Sequence, residues 1–257
     1  MTAARPSGRV QAYLEEHLRN GPLHFTLIDP DKSPGDEAAA IARGAVELGS
    51  HAILLGGSTG ISREGMGRTA KAVKTAVPVP VIIFPEGEGS LAPEADAILF
   101  MSLLNSRRLE LVIRTHARAA PAVRALGLEA IPLGYLVVAP GMRVGEVGQA
   151  DTVARDDPQT AVGYALAAEY LGMRYVYLEA GSGAPSPVPV PIVEAVHSVL
   201  SIPVMVGGGI RTGPEARALL DAGASILVTG TITEEEGLGE GFRAILAEVR
   251  QSRGAER

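Results

Sequence analysis

Residues 174–185 read Arg-Tyr-Val-Tyr-Leu-Glu-Ala-Gly-Ser-Gly-Ala-Pro, a short apolar run that ends in one carboxylate and a glycine-serine loop. Successive side chains of a strand point to opposite faces, so Tyr175, Tyr177 and Glu179 are expected to share one face. Glycine lets the backbone approach a ligand closely, and backbone N–H groups in such a loop can bind an anion. The segment therefore predicts a strand that delivers a phenol and a carboxylate to an anion-binding loop.

The same unit, a short apolar run followed by polar residues and then by a helical pattern, recurs along the chain. Eight runs are predicted as strands: His24–Ile28, Ala52–Leu55, Val79–Phe84, Ala97–Phe100, Ala130–Val138, Arg174–Leu178, Pro203–Val206 and Ser225–Thr229. Helical patterns lie at Asp36–Leu48, Arg63–Ala76, Leu109–Leu126, Pro158–Leu171, Pro191–Leu200, Pro214–Ala222 and Leu238–Arg250. Strands that alternate with helices pair in parallel, and eight units predict a closed (β/α)8 barrel of the TIM type. An open, doubly wound sheet is the alternative fold.

Two features distinguish this predicted barrel. The segment Pro85–Glu94 is too short and too rich in glycine and proline for a full helix, so the helix after the third strand is expected to be missing. Residues 1–21, before the first strand, carry apolar residues at helical spacing: Val10, Tyr13, Leu14 and Leu18. We therefore expect a single domain over residues 1–257, with an extra N-terminal helix packed on the barrel.

The composition excludes several classes of protein. The chain is 46% hydrophobic and 20% charged, which provides enough apolar material for a sizeable core. The net charge of −6 argues against nucleic acid as a main partner, and the absence of cysteine excludes disulfides and thiolate metal sites. No apolar run approaches the roughly 18 residues of a membrane-spanning helix, and the N-terminus lacks the apolar core of a signal peptide. We expect a soluble protein of the cytoplasm.

The active site of a (β/α)8 barrel lies at the carboxyl ends of the strands, and the loops after strands seven and eight often bind phosphate. Here those loops begin with Gly207–Arg211 and Thr229–Thr231, and they are expected to meet the Gly181–Gly183 loop. Their convergence predicts a phosphate site. The alternative interpretation is that the glycines only permit tight turns. Arg211 pairs either with phosphate or with Glu215.

Other candidate residues lie around the same rim. Asp29 follows the first strand, and Mg²⁺ binds one or two carboxylates together with substrate phosphates, so Asp29 is a candidate metal ligand. Ser58 either adds its hydroxyl or closes a glycine-rich turn. Glu179 either contacts substrate hydroxyls, as an acceptor or a base, or forms a salt bridge across the barrel. Arg107, Arg108, Arg114 and Arg118 form a basic stretch that could attract a second anion such as a diphosphate; for Arg114 and Arg118 a solvated helix face is the alternative.

Seven segments of the chain resemble the geranylgeranylglyceryl phosphate synthase family, which includes the bacterial heptaprenylglyceryl phosphate synthases. They are HFTLIDPDK (His24–Lys32), LLGGSTGIS (Leu54–Ser62), LFMSLLNSR (Leu99–Arg107), IPLGYLVVAPG (Ile131–Gly141), YVYLEAGSGAP (Tyr175–Pro185), VGGGIR (Val206–Arg211) and ILVTGT (Ile226–Thr231). They run in order from the first strand to the eighth. The second and fifth segments together are specific, because a generic phosphate-binding barrel would not carry both.

The resemblance implies a Mg²⁺-dependent prenyl transfer that forms the first ether bond of membrane ether lipids. A hydroxyl of sn-glycerol 1-phosphate attacks C1 of an isoprenyl diphosphate, and diphosphate is released. The implied metal ligands are Asp29 and Ser58, and the implied catalytic residues are Glu179 and Tyr135. The implied glycerol 1-phosphate site comprises Tyr177, Leu178, Glu179, Ala180, Gly181, Ser182, Gly183, Gly208, Gly209, Gly230 and Thr231. A homo-oligomer, dimer or larger, and transient contact with a membrane surface are also implied.

Some positions depart from the family pattern. Leu27 stands where one branch of the family has a lysine, and no tryptophan follows the LNSR motif, where this chain has Leu109, Leu111 and Val112. These departures leave the prenyl length open. The resemblance implies geranylgeranyl diphosphate as the default donor, with a longer C35 donor as an alternative. A non-catalytic phosphate-binding barrel is a second alternative. A phosphosugar isomerase, lyase or cyclase is a third, although apart from Lys32 no lysine or histidine lies at a strand end to serve as its second acid or base.

Overall fold

Eight parallel strands close into a barrel in chain order. The computed structural model describes residues 8–57 and 62–254, and all eight strands lie within them. They are β1 (Leu23–Ile28), β2 (Ala52–Leu55), β3 (Val81–Ile83), β4 (Ala97–Leu103), β5 (Glu129–Val137), β6 (Tyr175–Glu179), β7 (Val204–Gly207) and β8 (Ile226–Thr229). Thr26 of β1 pairs with Thr229 of β8 where the barrel closes. The predicted (β/α)8 fold is confirmed, and the open sheet is excluded.

Helices precede, connect and follow the strands. They are α1 (Arg9–Leu18), α2 (Asp36–Leu48), α3 (Arg63–Ala76), α4 (Thr115–Ala125), α5 (Met142–Val147), α6 (Pro158–Tyr170), α7 (Val190–Val199), α8 (Gly213–Asp221), α9 (Thr231–Glu236) and α10 (Glu240–Gly254). The bounds of α2 and α3 agree with the sequence prediction. Gly49 ends α2 in the left-handed conformation, and the Ser62 hydroxyl accepts a hydrogen bond from the Gly65 N–H at the start of α3. The sequence does not predict α5 and α9, because six residues cannot display a helical period.

The predicted absence of a helix between β3 and β4 is confirmed. Within this connection the structure shows only a single turn of 3-10 helix, Glu88–Ser90. The next connection starts with a π-helical turn, Glu110–Arg114, which continues directly into α4. The outer side of the barrel beside β4 is therefore not covered by a full helix from the connection between β3 and β4.

The side chains of the strands fill two layers. Those that point into the barrel pack on one another, as do Phe25, Leu99 and Met205. Those of the opposite face pack under the helices, as do Ile53 and Val176. This period of two decides which residues can reach the mouth of the barrel.

Helix α1 closes the amino-terminal end of the barrel. Its Val10 and Leu14 side chains are buried against the barrel interior. The Glu129 carboxylate, at the start of β5, accepts hydrogen bonds from the N–H groups of Val10 at 2.7 Å and Gln11 at 2.8 Å, which satisfies the first turn of the helix. The expected N-terminal helix is thus present, although residues 1–7 of that segment lie outside the described range. The open end of the barrel is the opposite one.

Replacing Leu14 with alanine is expected to destabilise the protein. The Leu14 side chain is 1% exposed, and truncation of a buried leucine typically lowers the free energy of unfolding by about 2–5 kcal/mol because a cavity remains. Urea titration should measure a loss of this size. Glu16→Ala, on the exposed side of the same helix, should change stability by less than about 0.5 kcal/mol. Equal stability of the two variants would show that α1 adds nothing to the folded core.

Candidate active site

A cavity of about 300 Å³ opens at the carboxyl ends of the strands. Its polar end is formed by β1, β6, β8 and the loops after them, through Asp29, Lys32, Glu179, Ser182, Gly230, Thr231 and Glu234. Its apolar end is formed by the segment after β3, by β4 and by the π-helical turn with α4, through Leu91, Ile98, Phe100, Met101, Leu111, Ala119 and Val123. The cavity therefore suits a ligand with a polar head and a long apolar tail.

The apolar end leaves the barrel beside β4, where the helix is missing. Leu99 and Met101 of β4 belong to the barrel interior, whereas Ile98 and Phe100 belong to its outer face, and all four line the cavity. Helix α4 forms the outer wall through Thr115, Ala119 and Val123, which follow one another at intervals of four residues, and through His116. The missing helix thus creates an apolar branch of the cavity that leads from the barrel interior to its outside.

The carboxylate of Glu179 lies at the end of β6 and is only 6% exposed. Its Oε1 accepts a hydrogen bond from the Gly181 N–H at 2.6 Å, and its Oε2 accepts one from the Tyr135 hydroxyl at 3.0 Å. Burial raises the pKa of Glu179 above its ordinary value, and the hydrogen bonds from Gly181, Tyr135 and Tyr177 oppose this rise without cancelling it. No lysine or arginine among the residues described pairs with Glu179, contrary to the salt-bridge interpretation.

Aromatic rings pack beneath this carboxylate. The ring centroids of Tyr135 and Tyr177 are 5.0 Å apart, and Phe84 meets the two rings edge-on at 5.9 and 6.1 Å. Burial, followed by the nearby charge of Glu179, holds the pKa of both phenols well above its ordinary value. Both tyrosines therefore stay neutral and can donate hydrogen bonds to the carboxylate.

The loops after β5, β6 and β7 approach one another too closely for side chains. A Cβ on Gly208 would overlap Oε1 of Glu179 and lie 2.7 Å from the Gly181 nitrogen. A Cβ on Gly181 would lie 2.6 Å from the Gly141 oxygen. Gly181, with φ of +103°, and Gly208, with φ of +81°, also have backbone angles that favour glycine. These glycines do more than permit turns, because they let three loops meet around one carboxylate.

The loop after β8 joins this group through Thr231. The Thr231 hydroxyl accepts a hydrogen bond from the Gly183 N–H at 3.1 Å and shares another with the Ser182 hydroxyl at 3.0 Å. Arg211 supports the same loop from behind, because its guanidinium donates to the Ala184 oxygen at 2.6 Å. The loops after β6, β7 and β8 therefore converge.

Asp29 faces the cavity from the opposite side of the barrel mouth and is 8% exposed. The space in front of its carboxylate is open because residue 57 is glycine, on which a Cβ would lie 2.6 Å from Oδ2. Lys32, on the same loop, forms an ion pair of 2.6 Å with Glu234 beyond β8. Ser58, the second predicted metal ligand, lies outside the described residues.

The predicted site residues fall into three groups. Six line the cavity: Asp29, Tyr135, Glu179, Ser182, Gly230 and Thr231. Five form the strand ends and loops behind this lining: Tyr177, Gly181, Gly183, Gly208 and Gly209. The side chains of Leu178 and Ala180 point away from the cavity and pack under the helices, so only their backbone can contribute.

None of the four arginines of the basic stretch (Arg107, Arg108, Arg114 and Arg118) belongs to the cavity lining within the described structure. Its arginines contact nearby groups instead, as in the 3.1 Å ion pair between Arg114 and Glu110, which favours the solvated-face interpretation. The arginine that does line the cavity is Arg143, in the short helix α5. Sequence analysis misses Arg143 because no recognisable pattern surrounds it.

A family model with the description "PcrB family" matches residues 13–249. The chain belongs to the PcrB family. A curated relative, the geranylgeranylglyceryl phosphate synthase of Pyrococcus horikoshii, is 46% identical over 95% of this chain and 96% of that protein. Membership of the PcrB family and this relative confirm the resemblance drawn from the sequence motifs.

Solved structures agree with this family assignment. The (S)-3-O-geranylgeranylglyceryl phosphate synthase of Thermoplasma acidophilum, in complex with its substrate sn-glycerol-1-phosphate, is 45% identical, has a TM-score of 0.90, and is matched over 96% of this chain and 100% of that one. The thiamine phosphate pyrophosphorylase of Pyrococcus furiosus has a TM-score of 0.59 at 18% identity over 93% of this chain and 98% of that one. This second likeness concerns the fold alone.

The raised pKa of Glu179 predicts a specific pH dependence of stability. The folded protein binds this proton more tightly than the unfolded chain, so the free energy of unfolding falls as pH rises from the ordinary pKa of glutamate through the raised one. Glu179→Gln keeps the shape of the side chain but cannot ionise. Above this pH window, we expect Glu179→Gln to have a higher free energy of unfolding than the unmodified protein. Below the window, this difference should be smaller.

Urea titrations at pH values on both sides of the window measure this difference. Glu16→Gln, at an exposed position of α1, serves as the control and should show no such trend. Identical pH profiles for Glu179→Gln and the unmodified protein would show that the environment of the carboxylate does not oppose its ionisation.

Proposed function

We propose that this protein is a Mg²⁺-dependent prenyltransferase that joins an isoprenyl diphosphate to sn-glycerol 1-phosphate. One observation carries the proposal: the anion-binding loops and the apolar branch belong to a single cavity, with Glu179 in its lining. The loops suit a small phosphate ester, and the branch suits a long hydrocarbon chain. The names of the curated relatives and the ligand named for the Thermoplasma acidophilum structure support the same reaction.

Glycerol 1-phosphate fits the polar end of the cavity. Its phosphate would lie against the glycine-rich backbone of Gly181–Gly183, Gly208–Gly209 and Gly230–Thr231, which Thr231 and the close glycine contacts hold together. Its hydroxyl groups would donate hydrogen bonds to Glu179. Tyr177 would contribute by supporting the Glu179 carboxylate from below.

The prenyl tail of the donor fits the apolar branch between β4 and α4. The wall of this branch consists mainly of leucine, isoleucine, phenylalanine, alanine and valine side chains, which a hydrocarbon can contact without loss of hydrogen bonds. Geranylgeranyl diphosphate is the donor that the names of the curated relatives support. The longer C35 donor is the alternative.

Asp29 suits a Mg²⁺ ion that also binds the diphosphate. Its carboxylate faces the cavity, and the missing side chain at Gly57 leaves room in front of it. Over residues 8–57 and 62–254 there is no cluster of three or more acidic, histidine or cysteine side chains that could hold a metal. A single carboxylate fits Mg²⁺ that completes its shell with waters and substrate phosphates. We propose Asp29 and Ser58 as its ligands; when bound, the ion neutralises charge on the leaving diphosphate.

The transfer exchanges one C–O bond for another. The glycerol hydroxyl oxygen bonds to C1 of the donor, while the bond from C1 to the diphosphate oxygen breaks and its electron pair leaves with the diphosphate. The hydroxyl proton passes to Glu179, because a carboxylate with a raised pKa is a stronger base. The Tyr135 hydroxyl, 3.0 Å from Oε2, holds the carboxylate in place during this step.

Further features of the enzyme stay predictions from the resemblance. They are a homo-oligomer, dimer or larger, and transient contact with a membrane surface to deliver the product. A cytoplasmic location stays a prediction from the composition. In the part of the chain that the structure describes, no helix has the length and hydrophobicity to span a membrane.

Incubation of the protein with labelled glycerol 1-phosphate, Mg²⁺ and a series of C15 to C35 diphosphates is expected to yield a prenyl ether and free diphosphate. Asp29→Ala should lower kcat by about 100-fold or more, because the metal loses a ligand, and chelation of Mg²⁺ should have the same effect. Asp31→Ala is the matched control, since Asp31 is exposed on the same loop and lies outside the cavity lining.

The outcomes separate the candidate functions. Ether formation by the unmodified protein and by Asp31→Ala, but not by Asp29→Ala, would support the transferase and its metal site. Tight binding of glycerol 1-phosphate without product from any donor would contradict the proposal and favour a non-catalytic barrel. Full activity of Asp29→Ala would show that the proposed metal site is wrong.

Ala119→Trp is expected to shorten the prenyl chain that the enzyme accepts. Ala119 lines the apolar branch, and an indole there would fill space that the distal part of the tail needs. The ratio of kcat/KM for C20 over C15 diphosphate should fall about tenfold, which corresponds to about 1.4 kcal/mol. Ala117→Trp, exposed on the same helix and outside the lining, should leave the ratio unchanged. If both variants kept the original ratio, the tail would not pass α4.

A further inference from the structure

We propose that Arg143 binds the diphosphate of the prenyl donor and holds it during the transfer, an inference that rests on the proposed function. Arg143 is the second residue of α5 and lines the cavity together with Val144 and Val147 of the same helix. It lies outside all seven sequence segments that carry the family resemblance. Its role is supported by its free guanidinium, by the charge of the cavity lining, and by the position of α5 in the barrel.

The guanidinium of Arg143 is available for a ligand. Within residues 8–57 and 62–254 it forms no hydrogen bond and no ion pair, although it faces the cavity. The other lining residue with a permanent positive charge, Lys32, is held by Glu234 at 2.6 Å. Arginine presents five N–H donors in a planar fork that matches phosphate oxygens. An unpaired arginine at a cavity wall is therefore suited to an anionic ligand.

The charge of the lining favours a cation at this position in addition to the proposed Mg²⁺. Four carboxylates line the cavity: Asp29, Glu86, Glu179 and Glu234. In the described part of the chain, two permanent cations oppose them, Lys32 and Arg143. A diphosphate is strongly anionic, and its negative charge increases as the C1–O bond breaks, so this lining would repel it without added positive charge.

The position of α5 places Arg143 at the junction of the two cavity ends. Just before the helix, the Gly141 oxygen approaches Gly181 of the anion-binding loop so closely that a Cβ there would lie 2.6 Å away. Further along the helix, Val144 packs on the barrel interior, and Val147 belongs to the cavity lining. The C1–O bond of the donor has to lie at this junction, because it links the anionic head to the hydrocarbon tail.

The arrangement of the strands also separates Arg143 from the proposed metal site. Helix α5 follows β5, which lies opposite β1 in a closed barrel of eight strands in chain order. Asp29 follows β1, so a metal at Asp29 and the guanidinium of Arg143 would approach the diphosphate from opposite sides. The phosphate of glycerol 1-phosphate could also bind an arginine, but we have assigned that phosphate to the glycine-rich loops. The diphosphate of the donor is therefore the group that Arg143 is proposed to bind.

Kinetics of Arg143→Gln test this role. The KM for the prenyl diphosphate should rise about tenfold and kcat should fall, because a charge-assisted contact to the leaving group is lost, while the KM for glycerol 1-phosphate should change less than about twofold. Arg143→Lys should recover part of the loss, since it restores charge without the fork. Arg124→Gln, exposed on α4 and outside the lining, is the matched control.

A binding measurement gives a readout that does not depend on turnover. In isothermal titration calorimetry with Mg²⁺, inorganic pyrophosphate should bind Arg143→Gln about tenfold more weakly than the unmodified protein. Circular dichroism should show the same fold for all variants, because Arg143 is exposed.

Unchanged KM values together with unchanged pyrophosphate binding would overturn the assignment of Arg143. A rise confined to the KM for glycerol 1-phosphate would also overturn it and assign Arg143 to the acceptor phosphate. If the unmodified protein formed no ether with any donor, the proposed function would fail instead. The two failures are therefore distinguishable.

Discussion

The buried carboxylate of Glu179 is the interaction on which the candidate site depends. It accepts hydrogen bonds from the Gly181 N–H and the Tyr135 hydroxyl, and the backbone of Gly208 lies against it. One side chain therefore holds β5, β6 and the loop after β7 in a common arrangement. Because this environment opposes ionisation, the charged form of Glu179 lowers the free energy of unfolding. A purely structural role would be served better by a neutral glutamine.

The missing helix between β3 and β4 determines what kind of substrate the barrel can accept. In a complete (β/α)8 barrel the interior is packed with side chains and ligands bind at the mouth. Here the cavity continues from the mouth past Leu99 and Phe100 to the outside of the barrel. The glycine-rich loops that we propose for phosphate lie at the mouth, as in other barrels, and the side branch adds room for a hydrocarbon. The missing helix between β3 and β4 thus gives the barrel a separate apolar surface for a ligand, in addition to the polar surface at its mouth.

The sequence predicts those parts of the fold and site that depend on local patterns. Apolar runs with helical segments between them predict the barrel, and the period of two in β6 places Glu179 on its inner face. The same period turns the side chains of Leu178 and Ala180 outward, so only the backbone of these two predicted site residues could contact a ligand. Contacts between distant segments leave no local pattern. Arg143 reaches the cavity only because a six-residue helix follows β5, and the ion pair between the loops after β1 and β8 joins opposite ends of the chain.

The closure of the barrel between its first and last strands has a consequence for how the protein is made. Thr26 of β1 pairs with Thr229 of β8, and the residues directly after β8 include Thr231, whose hydroxyl holds the loop of Gly183. A ribosome releases the N-terminal strands first, so the seam can form only after nearly all of the chain has emerged. The same final strand and the residues after it complete both the barrel and the support of the Gly183 loop. A nascent or truncated chain without them therefore lacks both the seam and the hydroxyl that holds this loop.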